Sequence, residues 1–391
     1  MSRTDLWVEG GAVVLVDRVV EADVHVSNGR IVGLCAPGSR PDVSRSAGVR
    51  RVDARGLVVM PGLIDLHCDA MEKEWAPRLG TSFPFRTAFN AVERRCAAWG
   101  VTTVYHALAL SGETGIRQNE TVDRIIGEMR AATVGRTMIR HRIHLRHEWI
   151  NVPGIDLVLR HIGEGNIDLL SFMDHSPDQG QFKKEGQFER YLLKTFGVSG
   201  EEARVIKERQ RRARRDLDRS RLQEIAREAV RWGIPLASHD DDERERIGWM
   251  AENGASISEF PIHLRAAAFA VDRGMSVCLG APNVVRGGSH NGNLRARDGI
   301  AAGVVDLLCS DYHVPSLLEA VFLLANDGLG LPEAVRLATL GPAKAVGLDG
   351  EWGSIEVGKR ADLILVEPAG NHPVVRRTIV GGSVVYRADY A

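Results

Sequence analysis

Eight short apolar runs, most of them closing on a polar or charged residue, constrain the fold of this chain more than any other feature: GLIDLH, VTTVYHAL, RIHLRHE, IDLLSFMDH, IPLASHD, SISEF, SVCLG and VDLLCSD. A helical stretch follows each run. Strands that alternate with helices in this way favour a closed parallel (β/α)₈ barrel of the α/β class, with helices outside and chemistry at the carboxyl ends of the strands. The polar residues of this chain collect at those ends.

Outside the repeat, residues 5–58 alternate β-branched runs with turn signals such as Ser27-Asn28-Gly29, and the tail does the same through GSIEVGKRADLILVE and VVRRTIVGGSVVYRA. We therefore expect 1–58 and 352–391 to form one composite β-sandwich around a barrel over 59–351. An insertion at about 176–228 separates the fourth and fifth runs, and insertions of that length in barrels serve as lids or substrate loops. Its basic segment KERQRRARRDLDR reads as a solvated helix face with paired charges.

With 391 residues the chain can bury a large core. Lys+Arg number 50 against Asp+Glu 51, so no overall field recruits nucleic acid or an anionic membrane, and affinity for an anion must be local. Cys35, Cys68, Cys96, Cys278 and Cys309 are widely spaced without a CxxC pair, which fits free thiols in a reducing cytoplasm. The start, MSRTDLWVEGG, carries an acid and glycines where a signal peptide or membrane span needs an apolar stretch. The expectation is a soluble cytoplasmic protein, with a homodimer allowed.

Alternation along a strand puts Asp65, His67 and Asp69 on one side, with Leu66 and Cys68 on the other. The same rule groups His144, Arg146 and Glu148. Further runs end in Asp174-His175, in His239 followed by three aspartates, and in Asp311. Imidazole and carboxylate are the donors a borderline divalent ion takes, so these ends read as one site assembled from five strands, for one or two ions. A single histidine closing a strand is usually a satisfied core residue; six acid or imidazole groups at strand ends weigh against that. His106, His290 and His313 are candidates for supporting or substrate contacts, whereas His25, His161, His263 and His372 read as surface or structural.

After the seventh run, GAPNVVRGGSHNGN (residues 280–293) offers backbone N–H groups with Arg286, Ser289, His290 and Asn293, the makings of a phosphate cradle at the barrel position where phosphate often binds. Lys73 and Arg78 in EKEWAPR are further partners for the same anion.

PGLIDLH opening a barrel, with GSIEVGKRADLILVE closing a β domain built from both termini, resembles the amidohydrolase superfamily. Within it, IDLHCDAMEKEWAPR, HLRHE, SFMDHSPDQGQF, SHDDD, GAPNVVRGGSHNGN and SDYHVPSLLEA are similar to the PhnM family of phosphonate-metabolism enzymes. That resemblance implies a diphosphatase releasing pyrophosphate from α-D-ribose 1-methylphosphonate 5-triphosphate. It makes His67, Asp69, Glu148, His175, His239 and Asp311 the metal and catalytic positions, Asp311 being the base. Zinc is the first expectation for the metal, with manganese, iron or magnesium as alternatives. Ala70, Trp75, Ala76 and His106 depart from the family pattern as we read it. Three other readings use the same architecture: a diphosphatase for another nucleotide-like phosphonate, hydrolysis of a cyclic or N-acyl amide, which leaves the anion loop unexplained, and a non-catalytic binder, which would let the strand-end groups erode.

Overall fold

The computed structural model describes residues 5–39, 49–78, 80–113, 115–183, 185–289, 292–370 and 372–389. Eight parallel strands, β6 (Leu63–Cys68), β7 (Val101–Leu110), β8 (Arg140–Glu148), β9 (Leu169–Met173), β10 (Leu236–His239), β11 (Ala255–Glu259), β12 (Ser276–Gly280) and β13 (Leu307–Cys309), pair in sequence order. They coincide with the eight apolar runs, although β7 extends past its run to Leu110. The seam between β13 and β6 is closed by Asp311, whose N–H donates to the His67 carbonyl at 2.8 Å while its own carbonyl accepts from Asp69 N at 2.8 Å.

Helices outside and side chains inside bury both faces of each strand, which is why the runs read as nearly continuous apolar segments. Ile64, Leu66, Tyr105, Leu169, Ile257 and Leu307, from five strands, pack together as the barrel filling.

The termini form a second sheet from β1 (Leu6–Val14), β2 (Val19–Ser27), β3 (Arg30–Cys35), β4 (Arg50–Asp53), β5 (Val58–Pro61), β14 (Leu363–Glu367), β15 (Val374–Val380) and β16 (Ser383–Arg387). β1 pairs β4 along its first half and β5 along its second, on either side of an irregularity at Val8–Gly11, so the small β domain is one forked hydrogen-bonded sheet with its own core of Leu6, Val24, Ile31, Leu363 and Ile379. The chain passes from β5 into the barrel at Gly62, where a Cβ would lie 2.3 Å from Thr102. Only glycine fits so close an approach.

Arg140 on β8 pairs with Asp362, which also accepts from Gly381 N at 2.7 Å, tying barrel to sheet. Asp362 is buried, so removing Arg140 leaves its carboxylate with the Gly381 N–H but without its paired cation. Arg140→Met is expected to cost roughly 3 kcal/mol, the low end of the range for broken buried pairs, since Arg140 itself keeps some solvent contact. A urea midpoint unchanged at constant slope would contradict this.

The insertion contains two helices, Gln187–Phe196 and Gly200–Arg215, with a small core of Phe182, Phe188, Leu192 and Ala203. A capping box starts the second: Ser199 Oγ accepts from Glu202 N at 3.2 Å and Glu202 accepts from Ser199 N at 2.7 Å. The next helix, Arg219–Arg231, buries Leu222, Ile225 and Ala229 against the barrel core. It is the barrel's own helix, so the insertion ends about ten residues before the expected limit of 228. Within the basic segment, Arg211 pairs with Asp178 and Glu208, and Arg214 with Asp174. Among the described residues no helix is long and apolar enough to cross a membrane.

Candidate active site

A cavity of about 290 Å³ opens at the carboxyl ends of the barrel strands, lined among others by His67, Asp69, His175, His239, Asp240 and Asp311. Phe182 and Tyr191 of the insertion form part of its wall.

β6 brings in His67 and Asp69 by a route that simple alternation misses. Its pairing with β7 shifts between Asp65 and Cys68, so Leu66 joins the barrel filling and His67 still reaches the cavity. Asp65, expected beside them, instead accepts from Ser310 N at 3.0 Å and from the Ser310 hydroxyl, and lies outside the cavity. His67 Nδ1 lies 3.1 Å from Glu259 Oε1, and Nε2 lies 3.6 Å from Asp69 Oδ1. Burial works against charge on this imidazole, but the Glu259 carboxylate carries it up to about 10. His67, Asp69 and Asp311 bring ligand atoms within 4.8 Å of one another.

Asp311 holds its backbone at φ 53°, in the left-handed region that L-residues occupy only when their surroundings demand it. Here the seam hydrogen bonds demand it. Burial, and then the neighbouring Asp69 charge, raise its carboxyl to about 7.

A second group brings together His175, His239 and Asp240: His175 Nε2 and His239 Nδ1 each lie 3.5 Å from Asp240 Oδ2. The three aspartates after His239 part company. Asp240 turns into the cavity at φ 54°, Asp241 accepts from Ser238 and Ser258 below, and Asp242 pairs with Lys183 at 3.2 Å. Glu148, expected as a ligand, lies beside this second group. Its Oε1 accepts from His175 N at 2.8 Å and its Oε2 faces His175 Nδ1 at 3.3 Å, so it holds the imidazole from behind. Burial works against charge on His175, while Asp240 and Glu148 carry it up to about 9.

A third cluster, His67, His144 and Glu259, has its donors engaged internally. His144 donates from Nδ1 to the Leu66 carbonyl at 3.0 Å and accepts at Nε2 from Ser171 at 2.8 Å, which accounts for both ring nitrogens. Burial lowers its pKa to about 3.

Three guanidinium groups face the same cavity: Arg117 from the segment after β7, Arg146 from β8, and Arg286. Glu72 holds Arg117 at 3.0 Å, and Arg117 donates to Tyr191 Oη at 3.3 Å. Arg286 donates to Tyr312 Oη at 3.2 Å, while Lys73 donates to the Tyr312 carbonyl at 3.2 Å and lies over the Tyr312 ring from outside the cavity lining. Ser289 and Asn293 line the cavity; His290 lies outside the described residues. Arg78 is exposed, pairs in backbone with Thr81, and does not line the cavity. The glycine-rich run is only half loop: Ala281–Arg286 is a short helix, with Pro282 in its first turn and Gly287 terminating it at φ 78°. His106 faces away from the cavity, bonded to His141 at 2.9 Å, and His313 bonds Ser316 at 2.7 Å.

Sequence reasoning missed Glu259, Asp240 and Arg117. Glu259 ends β11 two residues after inward-facing Ile257, so alternation would have found it. Arg117 sits in an irregular segment that carries no periodic signal.

Histidines and carboxylates gathered at the carboxyl mouth of a closed parallel barrel, with a β domain from both termini, define an enzyme of the amidohydrolase type. The chain belongs to the amidohydrolase family, whose model matches residues 58–385. It is 34% identical over 368 residues, covering 92% of this chain and 94% of the relative, to the alpha-D-ribose 1-methylphosphonate 5-triphosphate diphosphatase of Escherichia coli (strain K12). An imidazolonepropionase of Symbiobacterium thermophilum is 26% identical, covering 87% of this chain and 82% of its own. The fold is similar to that of N-acetylglucosamine-6-phosphate deacetylase from Pasteurella multocida, with a TM-score of 0.64 at 14% identity over 97% of this chain and 99% of that one.

Proposed function

We propose that this chain hydrolyses a phosphoanhydride of α-D-ribose 1-methylphosphonate 5-triphosphate and releases pyrophosphate. The observation that carries the reading is the convergence of Arg117, Arg146 and Arg286 on the cavity that also holds the histidine and carboxylate groups. Guanidinium groups match phosphate oxygens in charge and geometry. An amide substrate gives the three cations no charge to meet, whereas a triphosphate adds anionic oxygens to the contacts that Arg117 and Arg146 already make with Glu72 and Asp69. The 34% identity to a diphosphatase of this name supports the same substrate.

The donor chemistry fits a divalent ion, zinc first. His67 gives its Nδ1–H to Glu259 and so offers Nε2 on the Asp69 side, the carboxylate–imidazole arrangement that orients metal ligands. His175 Nε2 is buried without a hydrogen-bond partner. His67, Asp69 and Asp311 form one group that would hold an ion; His175, His239 and Asp240 form another. When bound, such an ion lowers the pKa of a water and offsets charge on phosphoryl oxygens.

The chain's own groups do the rest. Asp311 accepts the proton of the attacking water on its carboxylate. The three arginines orient the polyphosphate and neutralise its equatorial oxygens, so positioning and charge supply the catalysis. Phe182 and Tyr191 limit water at the mouth. Pyrophosphate leaves as an anion without being protonated. The free cysteines, four of them buried, suit a reducing compartment, and we place the enzyme in the cytoplasm.

Glu259→Gln keeps the size of the residue that holds His67 but weakens its grip on Nδ1–H. Metal affinity is expected to fall about 10–100-fold, the usual effect of losing such a partner. Competition with a chelator measures this, and unchanged affinity would remove Glu259 from the account. The substrate assignment is tested by incubating metal-loaded protein with the ribosyl phosphonate triphosphate beside ATP and an N-acyl amino acid. Pyrophosphate from the ribosyl phosphonate alone is expected; cleavage of the amide instead would overturn the assignment.

A further inference from the structure

The cavity has two unlike ends. In a closed ring of eight strands β8 lies opposite β12, and the segments after the two neighbours of β8 carry Arg117, following β7, and Phe182 and Tyr191, following β9. Arg117 Nη1 donates to Tyr191 Oη at 3.3 Å, so these segments meet. The other end is built after β12 and β13, where Arg286 donates to Tyr312 Oη at 3.2 Å. On the perpendicular diameter, His67 of β6 and His239 of β10 bring their ring centroids to 5.6 Å, so the histidines cross the mouth between the two ends. Arg146 lies in the same middle ground, with Nη1 3.4 Å from Asp69 Oδ1 and Nη2 3.0 Å from His239 Nε2.

The end beside β8 is aromatic. Phe182 is buried, its ring centroid 5.0 Å from that of Tyr191 and 6.1 Å from that of His175, so one wall of rings runs from the insertion to the histidines. Arg117, the cation of this end, is already paired with Glu72 at 3.0 Å. The end beside β12 is polar and more strongly cationic: Arg286 and Asn293 line it, Lys73 lies over the Tyr312 ring at 4.6 Å, and among the described residues no carboxylate pairs with Arg286. A pentose offers C–H faces that pack on aromatic rings, whereas a diphosphate needs cations and hydrogen-bond donors.

We propose that Phe182 and Tyr191 determine specificity by receiving the ribosyl end of the substrate, and that the departing pyrophosphate is held at the Arg286–Tyr312 end, with the scissile bond over the histidines. The ring wall belongs to the insertion and not to the barrel repeat, so a reader of the sugar is added to a hydrolytic mouth. Arg211 to Asp178 and Arg214 to Asp174, each at 2.7 Å, fix the insertion to the loop after β9 and set the distance of the wall from the histidines. The inference rests on the diphosphatase reading above and gives its substrate a direction.

Metal-loaded full-length protein is titrated calorimetrically with each product alone, pyrophosphate and α-D-ribose 1-methylphosphonate 5-phosphate. Tyr191→Ala is expected to weaken the ribosyl product about 10-fold while pyrophosphate stays within about two-fold. Tyr191→Phe keeps the ring and is expected to restore the ribosyl affinity. Phe182→Leu keeps an apolar filling for the small core of the insertion and is expected to show the same split as Tyr191→Ala. Arg286→Gln is expected to reverse it, weakening pyrophosphate about 10-fold. Ribosyl binding unchanged, or both products weakened equally, in Tyr191→Ala or Phe182→Leu would overturn the inference. So would a Tyr191→Phe as weak as Tyr191→Ala, or an Arg286→Gln that loses the ribosyl product instead of pyrophosphate. A wild type that binds neither product would overturn the diphosphatase reading itself, which separates the two failures.

Discussion

Replacing Asp311 by asparagine is expected to lower kcat by about 10²–10⁴-fold, the contribution of a positioned proton acceptor. The substitution is chosen to disturb little else. Asparagine tolerates the left-handed backbone that Asp311 adopts at φ 53°, and the seam hydrogen bonds to His67 and Asp69 come from its main chain. Closure of the barrel should therefore survive. What disappears is a carboxyl that burial and the neighbouring Asp69 charge raise to about 7, in the range where a general base works best near neutrality. Turnover by the folded variant, with metal content measured alongside, makes the comparison. Near-normal kcat would show that Asp311 does not take the proton.

His67→Ala is expected to abolish metal retention and activity together. His67 is 1% exposed and supplies the one imidazole of its group, with Nε2 facing Asp69 and Nδ1 fixed by Glu259. The variant also leaves Glu259 buried without its nearest cation, His144 Nε2 being 3.8 Å away, so about 3–5 kcal/mol of stability should go with it. Metal analysis after brief exposure to a chelator, paired with a thermal melt, separates the two losses. Full metal occupancy in the variant would remove His67 from the ligand set whatever happens to stability.

The barrel was legible because a parallel strand covered on both faces has to be apolar along its length, and eight such runs stand out between helices. The meeting of His67 and Asp69 was legible from their spacing. How they meet was not: the irregularity in β6 that turns Leu66 inward and Asp65 towards Ser310 depends on pairing with β7, which lies some forty residues away. Glu148 shows the complementary limit. Alternation correctly aims it into the barrel with His144 and Arg146, yet whether it would serve as a ligand or hold another residue depends on where the loop after β9 sets His175. Arg146 appeared in the same alternation, but its contact with His239 joins two strands that are not neighbours. Half of the glycine-rich run became helix because Pro282 fits a first turn and Gly287 a last one, a local signal present in the sequence and outweighed by the count of glycines.

The central claim is that water, directed by this site, cuts a phosphoanhydride. Phosphorus-31 NMR of metal-loaded protein with α-D-ribose 1-methylphosphonate 5-triphosphate in ¹⁸O-enriched water tests it most directly. Two products are expected, pyrophosphate and a ribosyl phosphonate 5-phosphate, with the isotope shift confined to the phosphorus that water attacked. An unchanged phosphorus spectrum from protein that demonstrably holds its ion would contradict it.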